Sequence, residues 1–100
     1  MIPSHMGKQS TRRTDGAFTG DDLASFWLGL WVPVRSSNVV ACRYLAEDQL
    51  LEVEFRGNSF YSYPQVDEKL AEEWALSPSK GGAIHDLFRV PGRPYTPYTF

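Results

Sequence analysis

The stretch that most constrains the fold of this chain is residues 51–63, which read LEVEFRGNSFYSY. Apolar side chains alternate with glutamates over residues 51–55, and this alternation predicts a strand with one apolar face. Residues 57–58, Gly-Asn, supply the backbone freedom that a tight turn requires. The aromatic residues 60–63 predict a returning strand, which ends before Pro64. The sequence therefore predicts a β-hairpin that the other segments cover.

The hairpin leaves the placement of Tyr61 and Tyr63 open, because it depends on the length of the turn. A two-residue turn places both tyrosines beside Glu52 and Glu54 in solvent, where they would form a platform for stacking unpaired bases. An odd-numbered turn places them with the apolar side chains of residues 51–55. We expect the second arrangement, because a half-buried tyrosine contributes roughly 1.5–3 kcal/mol of apolar burial to a small domain.

A helix is predicted from the acidic pair at residues 21–22, which suit a helix N-terminus, to about residue 32. Pro33 ends it. Its apolar residues recur at helical spacing and form one stripe, made of Leu23, Phe26, Trp27, Leu30 and Trp31. We expect the stripe to pack on the sheet. The alternative is an interface with a protein partner or a second copy, formed by Phe26, Trp27, Leu30 and Trp31.

The remaining segments complete an α+β fold. Residues 34–44 predict a strand whose apolar residues fall on both faces, so either both faces are covered or the strand has a bulge. Two amphipathic helices are predicted over residues 67–76 and 80–89, capped by Asp67 and Ser79. The prediction is a small three-stranded antiparallel meander packed with these two C-terminal helices, plus the N-terminal amphipathic helix.

The chain of 100 residues divides into four segments around one domain. Residues 1–20 are predicted to be a flexible tail, and its first six residues resemble a cloning remnant. The amphipathic helix occupies residues 21–33 and the central domain residues 34–90. Residues 91–100, rich in proline and tyrosine, are predicted to be an extended tail along the domain surface.

Composition limits the chemistry of this chain. A net charge of −2 does not favour non-specific binding to phosphates. Cys42 is the only cysteine, which excludes an intramolecular disulfide and fits a cytoplasmic protein. Cys42 and His85 do not supply a metal site or an activated nucleophile. We therefore expect no metal, no cofactor and no enzymatic activity. No apolar run approaches the roughly 20 residues of a membrane helix, so no membrane contact is expected.

Short motifs between residues 34 and 90 together resemble one known family. They are Val-Arg-Ser-Ser-Asn-Val, Leu-Glu-Val-Glu-Phe, Tyr-Ser-Tyr, Ser-Lys-Gly and Phe-Arg, at residues 34–39, 51–55, 61–63, 79–81 and 88–89, together with Tyr44. In this order and spacing they resemble the KTSC domain, a module named from the C-terminus of some lysyl-tRNA synthetases and also found as a free-standing bacterial or phage protein. The resemblance implies no settled activity, although RNA binding is suggested by the association with tRNA synthetases.

A candidate anion or phosphate site lies at the start of the last predicted helix, where exposed N–H groups accompany a lysine, at Ser79, Lys80, Gly81 and Gly82. Ordinary helix capping explains the same residues equally well. Further candidate phosphate contacts are Arg43, Arg56 and Arg89.

Two functions follow from the sequence. The first is a small non-enzymatic accessory module that binds RNA or single-stranded nucleic acid weakly, as the family resemblance suggests. The second is a protein–protein interaction module that uses the Trp-rich helix or the Pro/Tyr tail, and such a module could be encoded by a phage. The net charge of −2 favours this second function over the first. The sequence does not decide between a monomer and a homodimer.

Overall fold

The computed structural model describes residues 16–98, and this part of the chain forms one sheet with helices on its inner face. The strands are β1 Val32–Pro33, β2 Val39–Leu45, β3 Leu50–Phe55, β4 Ser59–Tyr63 and β5 Thr96–Tyr98. The helices are α1 Gly20–Trp27, α2 Glu68–Leu76 and α3 Lys80–Ile84; α3 continues as a π-helical turn over His85–Arg89, and a 3₁₀ turn covers Ala46–Asp48. The predicted α+β class is confirmed.

Each strand pairs antiparallel with the next, so the strand order follows the sequence from β1 to β5. The predicted three-stranded meander corresponds to β2, β3 and β4. The sheet has five strands instead of the predicted three, because a further strand pairs at each edge of the meander. β1 arises from the end of the predicted N-terminal helix. β5 arises from the predicted Pro/Tyr tail, whose residues 96–98 pair with β4. The irregularity expected in the first predicted strand is a bulge between Val39 and Ala41.

The turn between β3 and β4 consists of residues 56–58, because Phe55 pairs with Ser59. Gly57 and Asn58 hold positive φ angles of 86° and 62°, a conformation that glycine and asparagine adopt more readily than other residues. The turn is therefore odd-numbered, and this fixes which side chains of β4 face the helices.

Both hairpin tyrosines share the apolar face of β3. Tyr63 lies opposite Leu51, and Tyr61 lies opposite Val53. Leu51, Val53 and Tyr63 are buried, and Tyr61 is half-buried at the margin of the core. The predicted common face is confirmed.

α1 is shorter than the predicted helix. Its N-terminus is a capping box, in which the Thr19 hydroxyl accepts from the Asp22 N–H and the Asp22 carboxylate accepts from the Thr19 N–H. The helix ends at Trp27, because Gly29 adopts a φ of +80° and turns the chain into β1. The prediction of a helix to about residue 32 is wrong beyond Trp27.

The early end of α1 divides the predicted apolar stripe. Phe26 is fully buried, whereas Trp27 and Leu30 remain 37% and 54% exposed. Trp31 follows the helix and lies on the outer face of the sheet, where its ring centre is 6.2 Å from that of Phe60. Phe26 therefore packs in the core, as expected for the stripe, whereas Trp31 packs on the sheet but outside the core.

Residues 16–18 belong to the packed domain, although the sequence assigns them to a flexible tail. The Phe18 ring packs edge-on against Trp74 with 6.3 Å between ring centres, and the Phe18 N–H donates to the Ala75 carbonyl at 3.1 Å. The part of the predicted tail and cloning remnant at residues 1–15 lies outside the described residues.

α2 and α3 begin where the sequence predicts. Asp67 caps α2 by accepting from the Leu70 N–H at 2.9 Å, and Ser79 caps α3. Together with α1 they cover a core made of Phe18, Phe26, Val32, Val34, Val39, Cys42, Tyr44, Leu51, Val53, Tyr63, Val66, Ala71, Trp74, Ala75, Ala83, Ile84 and Phe88. Within residues 16–98, none of the helices has the length and apolar character needed to cross a bilayer.

Candidate nucleic-acid interface

Two adjoining clefts lie at the end of the sheet that carries the β3–β4 turn. The first, which we call the arginine cleft, has a volume of about 260 Å³ and is lined by Asn38, Phe55, Arg56, Gly81, Ile84, His85 and Arg89. The second has a volume of about 470 Å³ and is lined by Arg35, Ser36, Ser37, Pro78, Ser79 and Lys80. The loop at residues 35–38 and the start of α3 contribute to both clefts.

Arg56 is held in place by the loop at residues 35–38. Its Nε atom donates to the Ser37 carbonyl at 2.8 Å, and its Nη2 atom donates to the Ser36 carbonyl at 3.0 Å. Its backbone N–H donates to the Asn38 carbonyl at 2.9 Å. A guanidinium carries five N–H donors, so these contacts leave donors on the exposed side of Arg56. The side chain is therefore oriented before any ligand arrives.

Arg89 also lines the arginine cleft. Its exposed side chain lies at the end of the π-helical turn. Burial raises the pKa of Tyr63 to about 12, and the positive charge of the neighbouring Arg89 opposes that rise. Tyr63 is therefore neutral at physiological pH.

Aromatic rings continue from the arginine cleft toward β5, and we call Phe55, Tyr61 and Tyr95 the aromatic shelf. The ring centres of Phe55 and Tyr61 are 5.4 Å apart, and those of Tyr61 and Tyr95 are 5.5 Å apart. Phe55 also lines the arginine cleft, so the shelf and the cleft are continuous. Tyr95 is 56% exposed, which leaves a ring face open to solvent.

The charge around these clefts is positive. None of the side chains that line the two clefts, all within the described range, is acidic. Asp86 lies beside them, with its carboxylate 3.2 Å from Nδ1 of His85. The other acidic residues described do not line either cleft: Asp21, Asp22, Glu47, Asp48, Glu52, Glu54, Asp67, Glu68, Glu72 and Glu73. A chain with a negative net charge thus presents a positive surface at one end.

Lys80 does not reach a ligand in either cleft, which corrects its predicted role as a phosphate contact. The residue is fully buried, and its ammonium donates to the carbonyls of Gly16, Ala75 and Ser77. Nζ also lies 4.3 Å from the centre of the Phe18 ring. Burial lowers the pKa of Lys80 to about 8. Its partners are all groups of the protein, so Lys80 is a structural residue.

The rest of the predicted anion site forms a helix cap. The Ser79 hydroxyl accepts from the Gly82 N–H at 3.2 Å, which agrees with the capping interpretation. Gly81 packs against Asn38, where an added Cβ would lie 3.3 Å from the Asn38 side-chain nitrogen. Gly81 therefore allows α3 to approach the loop at residues 35–38 closely.

Arg43 lies on the outer face of the sheet and not in the arginine cleft. Its Nε atom is 2.5 Å from the Glu52 carboxylate, and its guanidinium lies 4.9 Å from the centre of the Trp31 ring. Of the predicted phosphate contacts, Arg56 and Arg89 are therefore brought together and Arg43 is separated from them.

Sequence reasoning did not single out Arg35, Asn38 or Tyr95 for this surface, and it considered His85 only as a metal ligand or as part of a catalytic pair with Cys42. Arg35 and Asn38 flank the two serines of the motif at residues 34–39. Their place in a family motif could have identified them as candidate site residues. The tail residue Tyr95 carried no such signal, because its place depends on the pairing of β5 with β4.

The profile of the KTSC domain matches residues 35–89, a range that includes every residue lining the arginine cleft. The chain belongs to the KTSC domain family. A crystal structure of a KTSC domain protein from Yersinia pestis is similar to it, with a TM-score of 0.63 and 24% identity over 68% of this chain and 94% of that chain. This likeness supports the KTSC fold. A comparison with curated proteins finds no match. In this KTSC domain, α1, β1 and β5 lie outside the matched range.

Proposed function

We propose that this KTSC domain is a non-enzymatic cytoplasmic module that binds RNA or single-stranded nucleic acid weakly, through the arginine cleft and the aromatic shelf. The observation that carries the proposal is the continuity of the two surfaces at Phe55, which lines the cleft and packs on Tyr61. Single-stranded nucleic acid offers phosphates and unstacked bases within one nucleotide, and sites that bind it combine cations with aromatic rings.

The phosphate contacts in this proposal are Arg35, Arg56 and Arg89. Arg56 is already oriented by two carbonyls, and Arg89 is exposed at the end of the π-helical turn. An oriented arginine loses less side-chain entropy when it binds a phosphate. Three contacts are few, and the net charge of the chain is −2, so we expect weak binding that depends on salt.

The base contacts in this proposal are Tyr61 and Tyr95. Tyr61 is half-buried, and Tyr95 is 56% exposed, so each ring keeps surface on which a base can stack. Stacking on an aromatic side chain contributes about 1–3 kcal/mol per base and tolerates any base. We therefore expect little sequence preference.

The absence of catalysis is part of the proposal. His85 is the titratable base of the arginine cleft, and its nearest acidic neighbour, Asp86, is exposed beside it. Cys42 is buried, and burial raises the pKa of its thiol, so it does not supply a nucleophile there. Within residues 16–98 no group of three metal-ligating side chains occurs.

The test is fluorescence anisotropy with a labelled oligouridine RNA of about twelve nucleotides, titrated at about 50 mM and about 200 mM salt. Three phosphate contacts predict that log K falls with log salt with a slope of about −2, from about −0.7 per contact. Arg89→Gln should reduce that slope by about 0.7. Tyr95→Ala should weaken binding with no change in slope.

The matched control is Lys69→Gln, which removes one exposed positive charge on α2, away from both clefts. It should leave the affinity unchanged within error. Equal losses in Lys69→Gln and Arg89→Gln would show a general charge effect and contradict a defined site. Binding that does not respond to salt would contradict phosphate contacts.

A further inference from the structure

A second surface lies at the end of the sheet that carries the β2–β3 turn, and we call Trp27, Leu28 and Leu30 the apolar ledge. Trp27 is the last residue of α1 and the two leucines follow it; the three are 37%, 76% and 54% exposed. It is unusual for a small domain to leave three large apolar side chains exposed within four residues of sequence, because exposed side chains do not gain the free energy of burial. Such patches mark binding surfaces.

The apolar ledge borders a cleft of about 480 Å³. Its lining residues are Trp27, Ala46, Glu68, Lys69 and Glu72, which come from α1, the 3₁₀ turn and α2. The Trp27 ring is held at the edge of this cleft by ring contacts with Phe26 at 5.2 Å and Tyr44 at 5.7 Å. The ledge therefore has a rigid aromatic side chain with a concave surface beside it.

The charge around the cleft is negative. Glu68 and Glu72 line it, and Glu47 and Asp48 follow Ala46 in the same 3₁₀ turn. Lys69 is the one basic residue among the lining residues. The last turn of α1 contains no basic residue, so the negative end of its helix dipole adds to the negative potential around the cleft.

We propose that the apolar ledge and its acidic border bind a basic segment of a partner protein, one that carries Leu-type side chains flanked by Lys and Arg. The ledge would take the apolar side chains, and the four carboxylates would face the positive charges. A second copy of this chain fits poorly, because the positive surface offered by residues 16–98 is the arginine cleft, which is also concave. The inference does not depend on nucleic-acid binding, because it uses the opposite end of the sheet.

The probe is a synthetic amphipathic peptide of about fourteen residues, with Leu at helical spacing and Lys elsewhere. A second peptide has Glu in place of every Lys. Isothermal titration with the full chain should show binding of the Lys peptide and none of the Glu peptide. Leu28→Glu with Leu30→Glu should weaken binding at least tenfold. Both leucines are exposed, so the midpoint of thermal unfolding should stay within about 2 °C.

The control is Val90→Glu, which introduces one negative charge, against two in the test variant, at a residue that is 68% exposed after the π-helical turn, far along the chain from the ledge. It should leave the affinity for the Lys peptide within twofold. Absence of binding by the Lys peptide, or equal loss in Val90→Glu, would overturn the proposal. Sedimentation that shows a dimer, dissociated by Leu28→Glu, would assign the ledge to a second copy and overturn it as well.

Discussion

The Nζ atom of Lys80 lies 4.3 Å from the centre of the Phe18 ring. Phe18 belongs to the segment that precedes α1, and Lys80 is the first residue of α3, so this contact joins two parts of the chain more than sixty positions apart. The same ammonium donates to the carbonyls of Ala75 and Ser77, at the C-terminal end of α2. Lys80 thereby supplies donors to carbonyls that have no partner within a helix.

Lys80→Met should lower the free energy of unfolding by about 1–3 kcal/mol at neutral pH, because the buried Gly16 carbonyl loses the donor that Lys80 supplies. Methionine has a similar length and apolar stem, so the change removes the ammonium rather than the packing. The measurement is urea unfolding followed by tryptophan fluorescence. The control, Lys69→Met, alters an exposed lysine of α2 and should change stability by less than about 0.5 kcal/mol. Equal effects in both variants would contradict the structural role of Lys80.

The stability of the domain should depend on pH through Lys80. Burial lowers its pKa from 10.5 to about 8, so the folded chain releases this proton at a lower pH than the unfolded chain does. Between these two pH values the unfolded state binds more protons, and the contribution of Lys80 to the free energy of unfolding therefore rises with pH. Below about pH 8 that contribution is constant. Cys42 and the buried tyrosines oppose this rise at the upper end of the window, because burial raises their pKa values. The measurement is therefore the difference in free energy of unfolding between the native chain and Lys80→Met, from urea unfolding at steps of pH. That difference should change in favour of the native chain across the window, and parallel curves would contradict the lowered pKa.

Gly16→Ala should destabilise the domain by about 1–3 kcal/mol, because the new side chain has no space. A Cβ at this position would lie 2.1 Å from the carbonyl oxygen of Pro78. Gly20→Ala is the matched control, since a Cβ there meets no atom within 4 Å. Thermal unfolding should show a lower midpoint for the first variant and an unchanged or slightly higher one for the second. A neutral Gly16→Ala would show that residues 16–18 do not pack as described.

Tyr63 offers a test of the buried hairpin face. Tyr63→Phe should cost about 1 kcal/mol or less, because it keeps the buried ring and removes only the hydroxyl. Tyr63→Ala should cost about 3–5 kcal/mol, because the ring is buried and packs on Phe88 with 5.0 Å between ring centres. Chemical denaturation measures both. If Tyr63→Ala unfolds at the same denaturant concentration as the native chain but no longer binds oligouridine, Tyr63 is a contact residue and its structural assignment is wrong.

Local patterns predicted the hairpin and the two C-terminal helices because the information for each lies within a few residues. The alternation of residues 51–55 with a turn that favours positive φ determines the hairpin, and the caps Asp67 and Ser79 determine where the helices begin. The sequence alone left open which face of the sheet carries Tyr61 and Tyr63. The three-residue turn decides it, because it places both tyrosines on the apolar face of β3.

The edge strands could not be predicted in the same way. β1 has two residues and β5 has three, too few to show alternation, and each exists because a neighbouring strand offers partners. Gly29 lies inside a helical pattern, and its positive φ ends the helix that the apolar spacing predicted to continue.

The candidate site was predicted in part, because its residues are distant in sequence. The spacing of Arg56 and Arg89 does not reveal that they face each other across one cleft. Lys80 resembled a phosphate ligand because the sequence gives no sign that residues 16–18 cover it. Both outcomes depend on tertiary packing that no local pattern encodes.

The prolines of the two edge strands bear on how the protein behaves at high concentration. β1 contains Pro33 and β5 contains Pro97, and a proline has no N–H to offer to an additional strand. Exposed edges are the places where sheets of different molecules join and aggregate. Pro33→Val and Pro97→Val restore those donors and should make the protein more prone to form fibrils on heating, so the two prolines protect its solubility as well as ending its sheet.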